Sequence, residues 1–242
     1  MITLKHYGII GNPLGHSYSE GYFTDTFIRE HIAADYTPYE LSSIHPITAL
    51  LAHLDGFNVT YPYKQAIIPY LHSIDPIAQQ IGAVNVVHHG KGYNTDWIGF
   101  RDSLLPLLQA DDKRALLLGT GGVSKAIQFA LHDLGIEYTL VSRSVTPLTR
   151  ALTYEQVTDQ IMDSHTIIIN CTPLGMHPYE LDKPSINYEA LTPQHLLYDC
   201  IYNPAKTLFL QEGNNHNCRT KNGLEMLHLQ ADAAWKIWNS TL

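Results

Sequence analysis

The fold is decided by the stretch ALLLGTGGVS, residues 115–124. Its apolar first half predicts a buried strand, which ends at the glycines. A helix is predicted to begin there, because apolar residues recur at helical spacing as far as Leu134. A glycine-rich turn between strand and helix lets backbone N–H groups and the helix N-terminus approach a pyrophosphate. We therefore predict a dinucleotide-binding unit. A tight turn without a ligand is the alternative, because the spacing G-x-G-G-x-S lacks the usual third glycine.

The next predicted strand, Tyr138–Val141, ends in Ser142, Arg143 and Ser144. In dinucleotide-binding folds the adenosine ribose binds at about the end of this strand, and NAD enzymes usually carry an acidic residue there. A guanidinium between two hydroxyls instead suits a 2′-phosphate, through charge-assisted hydrogen bonds. The pattern therefore favours NADP. The alternative is that Arg143 is a solvated surface residue.

The whole chain alternates short apolar runs with helix-like stretches, which indicates parallel strands joined by crossover helices. The predicted strands are Tyr7–Ile10, Tyr36–Tyr39, Phe57–Thr60, Val84–His88, Ala115–Leu118, Tyr138–Val141, Thr166–Asn170 and Leu196–Asp199. The predicted helices are Ser19–His31, Ile47–Leu54, Pro76–Ile81, Trp97–Leu108, Val123–Leu134, Thr207–Glu212 and Leu224–Trp238. Residues 183–194 contain two prolines and little periodicity, which predicts a loop with at most one helical turn.

Composition excludes several classes of function. The 242 residues carry a formal charge of −8, and no cluster of Lys and Arg is present, so we expect no nucleic-acid partner. The 3 cysteines form an odd set without CxxC spacing, which favours a reducing compartment, the cytoplasm. The 14 histidines lack the spacing of zinc ligands, so no metal site is expected. We expect neither a signal peptide nor a membrane span.

The first motif, GNPLGHSYS at residues 11–19, lies between a predicted strand and a predicted helix. Ser17 fits the N-cap of this helix, and Glu20 would complete a capping box. Paired hydroxyls at a helix N-terminus are equally suited to a substrate carboxylate, because both the hydroxyl donors and the helix dipole favour an anion.

Further motifs follow in order. They are NVTYPYK at 58–64, GAVN at 82–85, GYNTD at 92–96, GTGG at 119–122, NCTPLGM at 170–176, YNP at 202–204 and NGLEMLHLQA at 222–231. Together with the first motif, this series closely resembles the shikimate dehydrogenase family over nearly the whole chain. Taken singly, each motif is equally compatible with a strand end and its turn.

The resemblance implies roles for individual residues. Lys64 and Asp96 are the implied catalytic pair. The implied substrate-binding residues are Ser17, Ser19, Thr60, Asn85, Tyr202 and Gln230. The implied cofactor-binding residues are Gly119, Thr120, Gly121, Gly122, Val123, Ser142, Arg143, Ser144, Thr172 and Gly223.

The resemblance also implies an α/β fold of two domains. An N-terminal substrate-binding catalytic domain would comprise residues 1–96 with 219–242, to which the last helix returns, and a Rossmann-like doubly wound domain that binds NADP would comprise residues 97–218. The implied activity is the reversible reduction of 3-dehydroshikimate to shikimate with NADPH, a step of chorismate and aromatic amino acid biosynthesis. We expect a monomer or a homodimer.

This chain departs from the family pattern at three points. Glu20 replaces the usual proline after the second serine, the usual Asn-Arg-Thr reads Ser142-Arg143-Ser144 without a basic residue in the next three positions, and the chain is somewhat short. Phosphate selectivity would then depend mainly on Arg143. Two alternatives stay open: a quinate/shikimate dehydrogenase that uses NAD, and a noncatalytic sensor that binds a dinucleotide.

Overall fold

The computed structural model describes residues 4–15, 18–144 and 150–240. The chain divides into two compact units: unit 1 is Met1–Thr95 with Ala231–Leu242, and unit 2 is Asp96–Gln230. Each unit is built on its own sheet. Among the described residues, no helix is both long and apolar enough to cross a membrane.

The strands of unit 1 are β1 (Lys5–Gly11), β2 (Ala34–Glu40), β3 (Gly56–Val59), β4 (Ser73–Ile74), β5 (Val86–His88) and β6 (Lys91–Tyr93). Those of unit 2 are β7 (Arg114–Leu118), β8 (Glu137–Val141), β9 (Ile167–Asn170), β10 (Leu196–Asp199) and β11 (Arg219–Lys221). The helices are α1 (Tyr18–Arg29), α2 (Ile47–His53), α3 (Pro76–Ile81), α4 (Asp96–Leu104), α5 (Gly122–Asp133), α6 (Asp159–Ser164), α7 (Leu208–Asn215) and α8 (Leu224–Trp238).

The sheet of unit 1 has the strand order β2-β1-β3-β5-β6-β4. The strand β5 runs antiparallel to both β3 and β6, so this sheet is mixed and not wholly parallel as the alternating pattern predicts. The chain reverses after β5 through His89 and Gly90, whose φ angles of 47° and 74° lie in the left-handed region. As a result, the carboxyl ends of β1, β3 and β6 share one edge of the sheet with the start of β5.

Aromatic residues fill one face of this sheet. The Trp238 ring lies 4.8 Å from Tyr7 and 5.0 Å from Phe23, measured between ring centroids. The Trp238 Nε1–H donates to the Val87 carbonyl at 3.0 Å, which satisfies the buried indole. A side chain at Gly56 would collide with the same indole. The last turns of α8 are therefore part of the core of unit 1.

The sheet of unit 2 is parallel throughout, with the order β11-β10-β9-β7-β8. From β7 the chain moves outward to β8 and then returns past β7 to form β9. The order therefore reverses direction between β7 and β9, which is a topological switch point. Because β11 pairs with β10, residues 219–221 lie in unit 2, whereas the predicted boundary assigned them to the other domain.

Both faces of this second sheet are covered. Ala115 and Leu117 belong to one buried cluster, whereas Leu116 and Leu118 belong to another, as the alternation of side chains along a strand requires. A strand buried on both faces needs a continuous apolar run, and the sequence of β7 supplies it. Polar residues are then confined to the strand ends.

The predicted fold class, α/β with an N-terminal unit followed by a Rossmann-like unit, is confirmed. The helices Pro76–Ile81 and Leu224–Trp238 have the predicted bounds. Four short elements are absent from the sequence prediction: β4, β6, β11 and α6. Residues 183–194 contain one 3₁₀ turn, Tyr188–Ala190, in agreement with the predicted loop.

A buried ion pair connects β11 to the loop before β7. The Arg219 guanidinium donates to both carboxylate oxygens of Asp112, at 2.8 and 3.0 Å, and the Asp112 side chain is only 2% exposed. Burial alone would raise the pKa of Asp112, but the hydrogen bonds from Arg219, Gln109 and Thr166 outweigh it and lower that pKa. The pair therefore stabilises the folded state when Asp112 is ionised.

We expect Arg219→Met to lower the free energy of unfolding by about 3–5 kcal/mol, because it leaves a buried carboxylate without its cation. Chemical denaturation at pH 7 measures this loss. In the parent protein the contribution of the pair is present above the ordinary aspartate pKa of about 3.9 and disappears as the pH falls through the lowered folded value. The matched control is Arg114→Met, since the pair of Arg114 with Glu137 is exposed and contributes at most about 1 kcal/mol. Equal losses in both variants would contradict this assignment.

Candidate active site

Three of the predicted site residues of unit 1 lie at one edge of its sheet. Thr60 directly follows β3, Lys64 lies in the turn that continues from it, and Asn85 directly precedes β5. This edge also receives the carboxyl ends of β1 and β6. The topology therefore brings these residues together although 25 positions separate Thr60 from Asn85.

Backbone hydrogen bonds fix the Lys64 turn on both sides. The Thr60 N–H donates to the Ile10 carbonyl at 2.9 Å, which anchors the start of the turn to β1. The Val84 N–H donates to the Lys64 carbonyl at 2.7 Å. Lys64 is half-buried. Its backbone is thus held directly beside the residue that precedes Asn85.

Asn85 is buried and holds the end of β6 in place. Its Oδ1 accepts from the Thr95 N–H at 2.7 Å, and its Nδ2 donates to the Thr95 hydroxyl at 3.0 Å. The next residue, Asp96, is buried and begins α4. Val84 is therefore bonded to Lys64, and Asn85 is bonded to Thr95, which directly precedes Asp96.

A buried polar chain that the sequence analysis missed lies behind this edge. The Tyr36 hydroxyl donates to Asn58 Oδ1 at 2.7 Å, and Asn58 Nδ2 donates to the Asn85 carbonyl at 3.4 Å. Burial raises the pKa of Tyr36 well above its ordinary value, and a hydrogen bond with Ser19 opposes that rise. A tyrosine within a strand is usually a core residue, so only Asn58, within the NVT motif, gave a sequence signal.

Ser19 is buried in the first turn of α1. The Ser19 hydroxyl opposes the rise in the pKa of Tyr36, so this serine acts on the buried polar chain. The other predicted carboxylate donor, Ser17, lies outside the described residues. The capping box predicted for Ser17 lies outside them for the same reason.

In unit 2, the glycine-rich turn joins β7 to α5 at the switch point of the sheet. Gly119 has a φ of +103°, a conformation that favours glycine, and its N–H donates to the Val141 carbonyl at 2.8 Å. Thr120 and Gly121 are exposed, while Gly122 and Val123 are half-buried. Within the described part of the chain, no side chain caps the N-terminus of α5, and no atom lies within 4 Å of a Cβ built on Gly121 or Gly122. The amides of this helix start are thus accessible to an anion.

The loop after β9 borders the same turn. Thr172 bonds to Asn170 Oδ1 through both its N–H, at 3.0 Å, and its hydroxyl, at 2.7 Å. Asn170 Nδ2 in turn donates to Asp199 at 3.1 Å, and the Thr207 hydroxyl donates to that carboxyl at 2.6 Å. Burial raises the pKa of Asp199 to about 6. Asn170, Asp199 and Thr207 were not among the predicted site residues, yet they fix the position of Thr172.

The predicted phosphate residues follow β8. Arg143 and Ser144 are exposed, while Ser142 is buried. The Ser142 hydroxyl donates to the Ser144 carbonyl at 3.0 Å, so it stabilises the turn that presents Arg143. Burial raises the pKa of Tyr154, and the cationic Arg143 opposes this rise.

The remaining predicted residues lie beyond β10 and on α8. Tyr202 is half-buried and follows β10 by three positions. Gly223 contacts the end of β10 so closely that a Cβ there would collide with the Cys200 carbonyl. Gln230 is buried, and its Nε2 donates to the Leu227 carbonyl at 3.0 Å. The glycine at position 223 is therefore required by packing, whatever else it contacts.

Known proteins resemble this chain in sequence and in fold. A family model described as the shikimate dehydrogenase substrate binding domain matches residues 9–87. A shikimate dehydrogenase (NADP(+)) of Bacillus cereus strain AH187 is 37% identical, over 96% of this chain and 91% of its own. The chain belongs to the shikimate dehydrogenase family.

Solved structures of shikimate dehydrogenases also match. That from Aquifex aeolicus is 32% identical, with a TM-score of 0.87 over 99% of this chain and 94% of its own. That from Thermus thermophilus, in complex with NADP(H) and shikimate, is 27% identical, with a TM-score of 0.86 over 99% and 95%. The family resemblance inferred from the sequence motifs is confirmed. The residues Thr60, Lys64 and Asn85 lie within the segment matched to the family's substrate binding domain.

We expect substitution by alanine at Gly223 and at Gly122 of this shikimate dehydrogenase family member to have different effects on stability. Gly223→Ala should lower the free energy of unfolding by about 1–3 kcal/mol, because its Cβ overlaps a backbone carbonyl. Gly122→Ala should leave stability within about 0.5 kcal/mol of the parent, because open space surrounds its Cβ in the described structure. Thermal and chemical unfolding compare the two variants. Equal destabilisation would show that the start of α5 is packed rather than open.

Proposed function

We propose that this protein reversibly reduces 3-dehydroshikimate to shikimate with NADPH. The observation that carries the proposal is the polar edge of unit 1, where Thr60, Lys64 and Asn85 are held by backbone and side-chain bonds. This edge lies in the segment that matches the substrate binding domain of shikimate dehydrogenases. The relative at 37% identity is a shikimate dehydrogenase that uses NADP(+).

Lys64 is the residue we assign to proton transfer. When bound, NADPH supplies the hydride that reduces the ketone carbon. Negative charge then develops on the ketone oxygen, and the Lys64 ammonium can stabilise this charge and donate a proton to it. In the oxidation of the alcohol, the same lysine must accept a proton, which favours this direction at alkaline pH. The fixed backbone of the Lys64 turn supports this role, because proton transfer needs a positioned donor.

Asp96 is assigned to orient the substrate. Its carboxylate accepts a hydrogen bond from a ring hydroxyl in this proposal. Two features support the assignment. Asp96 is buried, and it directly follows Thr95, which Asn85 holds through two hydrogen bonds.

The substrate carboxylate is assigned to Ser17 and Ser19, and the ring hydroxyls to Thr60, Asn85, Tyr202 and Gln230. Ser19 also acts on the buried Tyr36, whose raised pKa it opposes. The helix start adds a favourable dipole for an anion. Glu20 in the same turn opposes the anion by its charge.

The residues at the start of α5 fit NADP. Glycine at positions 121 and 122 leaves room in front of the helix amides within the described structure, as a pyrophosphate requires. We assign Gly119, Thr120, Val123, Thr172 and Gly223 to the same cofactor surface. Arg143, exposed at the end of β8, is assigned to the 2′-phosphate, with Ser142 and Ser144 beside it.

For its location we propose the cytoplasm. The 3 cysteines of the chain form an odd set, which suits a reducing compartment better than an oxidising one. As its assembly we propose a monomer or a homodimer.

The activity is tested by following cofactor reduction with shikimate and with quinate, each with NADP and with NAD. We expect the highest kcat/KM with shikimate and NADP. Lys64→Ala should lower kcat by about 10²–10⁴-fold, because it removes the proton donor and acceptor, while KM for shikimate changes little. The control Lys113→Ala, which removes an exposed lysine of unit 2, should retain parent turnover.

Three results would contradict this proposal. A preference for quinate with NAD would favour the quinate-type alternative. Binding of NADP without turnover of either polyol would favour a sensor. Parent turnover in folded Lys64→Ala would show that the proton is carried by another group.

Arg143→Ala should weaken NADP binding by about tenfold to a hundredfold and leave NAD binding nearly unchanged. One charge-assisted hydrogen bond contributes about 1.5–3 kcal/mol, and about 1.4 kcal/mol corresponds to tenfold. Titration of both cofactors by calorimetry measures the two affinities, with Lys113→Ala as the control for loss of one positive charge. If the affinities for NADP and NAD fall equally, Arg143 does not select the phosphate.

A further inference from the structure

Two thiols lie in contact at the carboxyl edge of the sheet of unit 2. Cys171 directly follows β9, Cys200 directly follows β10, and their Sγ atoms are 3.7 Å apart. The last paired residues of these parallel strands are Asn170 and Asp199, and the Cys200 N–H donates to the Asn170 carbonyl at 3.0 Å. The two cysteines therefore extend the ladder by one position, with their side chains on the same face.

This geometry is close to that of a disulfide. Neighbouring strands are about 4.8 Å apart, and the Cα atoms of a disulfide are usually about 4.4–6.8 Å apart. Both cysteines are half-buried residues with free thiols. The third cysteine, Cys218, is buried and donates to the Thr192 carbonyl at 3.2 Å.

We propose that Cys171 and Cys200 form a reversible dithiol/disulfide site that small-molecule disulfides oxidise and thiols reduce. The Cys171 thiolate attacks one sulfur of the oxidant, which releases one thiolate and leaves a mixed disulfide on Cys171. Cys200 loses its proton and its thiolate attacks the Sγ of Cys171 in the mixed disulfide, which forms the Cys171–Cys200 bond and releases the second thiolate. The two protein protons end on these two thiolates, so the S–S bond of the oxidant is replaced by one S–S bond in the protein.

The order of attack follows from the surroundings of the two thiols. The hydrogen bond with Cys171, burial, and the nearby carboxylates of Asp199 and Asp96 raise the pKa of the Cys200 thiol well above its ordinary value. We assign Cys171 as the thiol that reacts first, an order that the glutathione retained by Cys200→Ser tests. Cys200 then acts as the resolving thiol.

The site is coupled to the glycine-rich turn by direct packing. The Cys171 N–H donates to the Leu118 carbonyl at 2.9 Å, and a Cβ on Gly119 would lie 3.2 Å from the carbonyl carbon and oxygen of Cys171. Disulfide formation must bring the sulfurs from 3.7 Å to about 2.05 Å, and the backbone contacts transmit any accompanying displacement of Cys171 to this turn. Oxidation should therefore weaken dinucleotide binding there, a consequence that rests on the proposed function.

The experiment treats the full chain with oxidised glutathione and measures intact mass and free thiols under denaturing conditions. We expect the parent to lose about 2 Da and to retain one reactive thiol, and reduction with dithiothreitol to restore all 3. Cys218→Ser should lose the same mass. Cys171→Ser and Cys200→Ser should not, and Cys200→Ser should instead keep glutathione bound to Cys171. A parent protein that keeps its full mass, or a Cys171→Ser variant that still loses about 2 Da, would overturn the proposal.

The second measurement compares NADP binding by reduced and oxidised parent protein. We expect oxidation to weaken NADP binding by the parent protein about tenfold. The affinity of the Cys171→Ser variant for NADP should be the same before and after treatment with oxidised glutathione. Unchanged affinity in the oxidised parent would overturn the coupling to the Gly119 turn. If the reduced parent failed to bind NADP, the proposed function would be contradicted, whereas the mass measurement would still decide the dithiol site.

Discussion

The structure depends on one constraint, that parallel strands end at the same edge of their sheet. In unit 2, β7, β8, β9 and β10 are followed respectively by Gly119, Ser142, Cys171 and Cys200. In unit 1 the parallel strands β1 and β3 end beside each other, and the hairpin of β5 and β6 adds Asn85 and Thr95 to the same edge. Residues that are far apart in the sequence thus converge without any local signal for their contact.

Polar residues are confined to the strand ends because the interiors of the strands are buried among apolar side chains. Along β7, Ala115 and Leu117 face one buried cluster, and Leu116 and Leu118 face the other. A polar side chain at any of these positions would lose its water without gaining a partner. The glycine-rich turn can start only where this apolar run ends, so the core of unit 2 determines where its candidate cofactor residues lie.

The sequence predicted long, strongly periodic elements well, and it failed where structure depends on distant partners. The helix Leu224–Trp238 and the apolar strand β7 carry their own signals. The short strands β4, β6 and β11 are 2 or 3 residues long and exist only because a neighbouring strand pairs with them. The direction of β5 was also missed, although Gly90 supplies the turn that reverses the chain. For the same reason the predicted domain boundary at residue 219 fell before β11, whose pairing with β10 is not local information.

The candidate site shows the same division. The motifs identified the family, because their order matches it, and they named candidate residues, but they did not predict which hydrogen bonds those residues make in the structure. Tyr36 donates its one hydroxyl proton to Asn58 Oδ1, so Asn58 turns its Nδ2 toward the Asn85 carbonyl. A buried amide that is bonded on both sides cannot rotate without losing a hydrogen bond. The polar chain therefore fixes the orientation of the Asn58 side chain behind Asn85, although no motif names the bonds that do so.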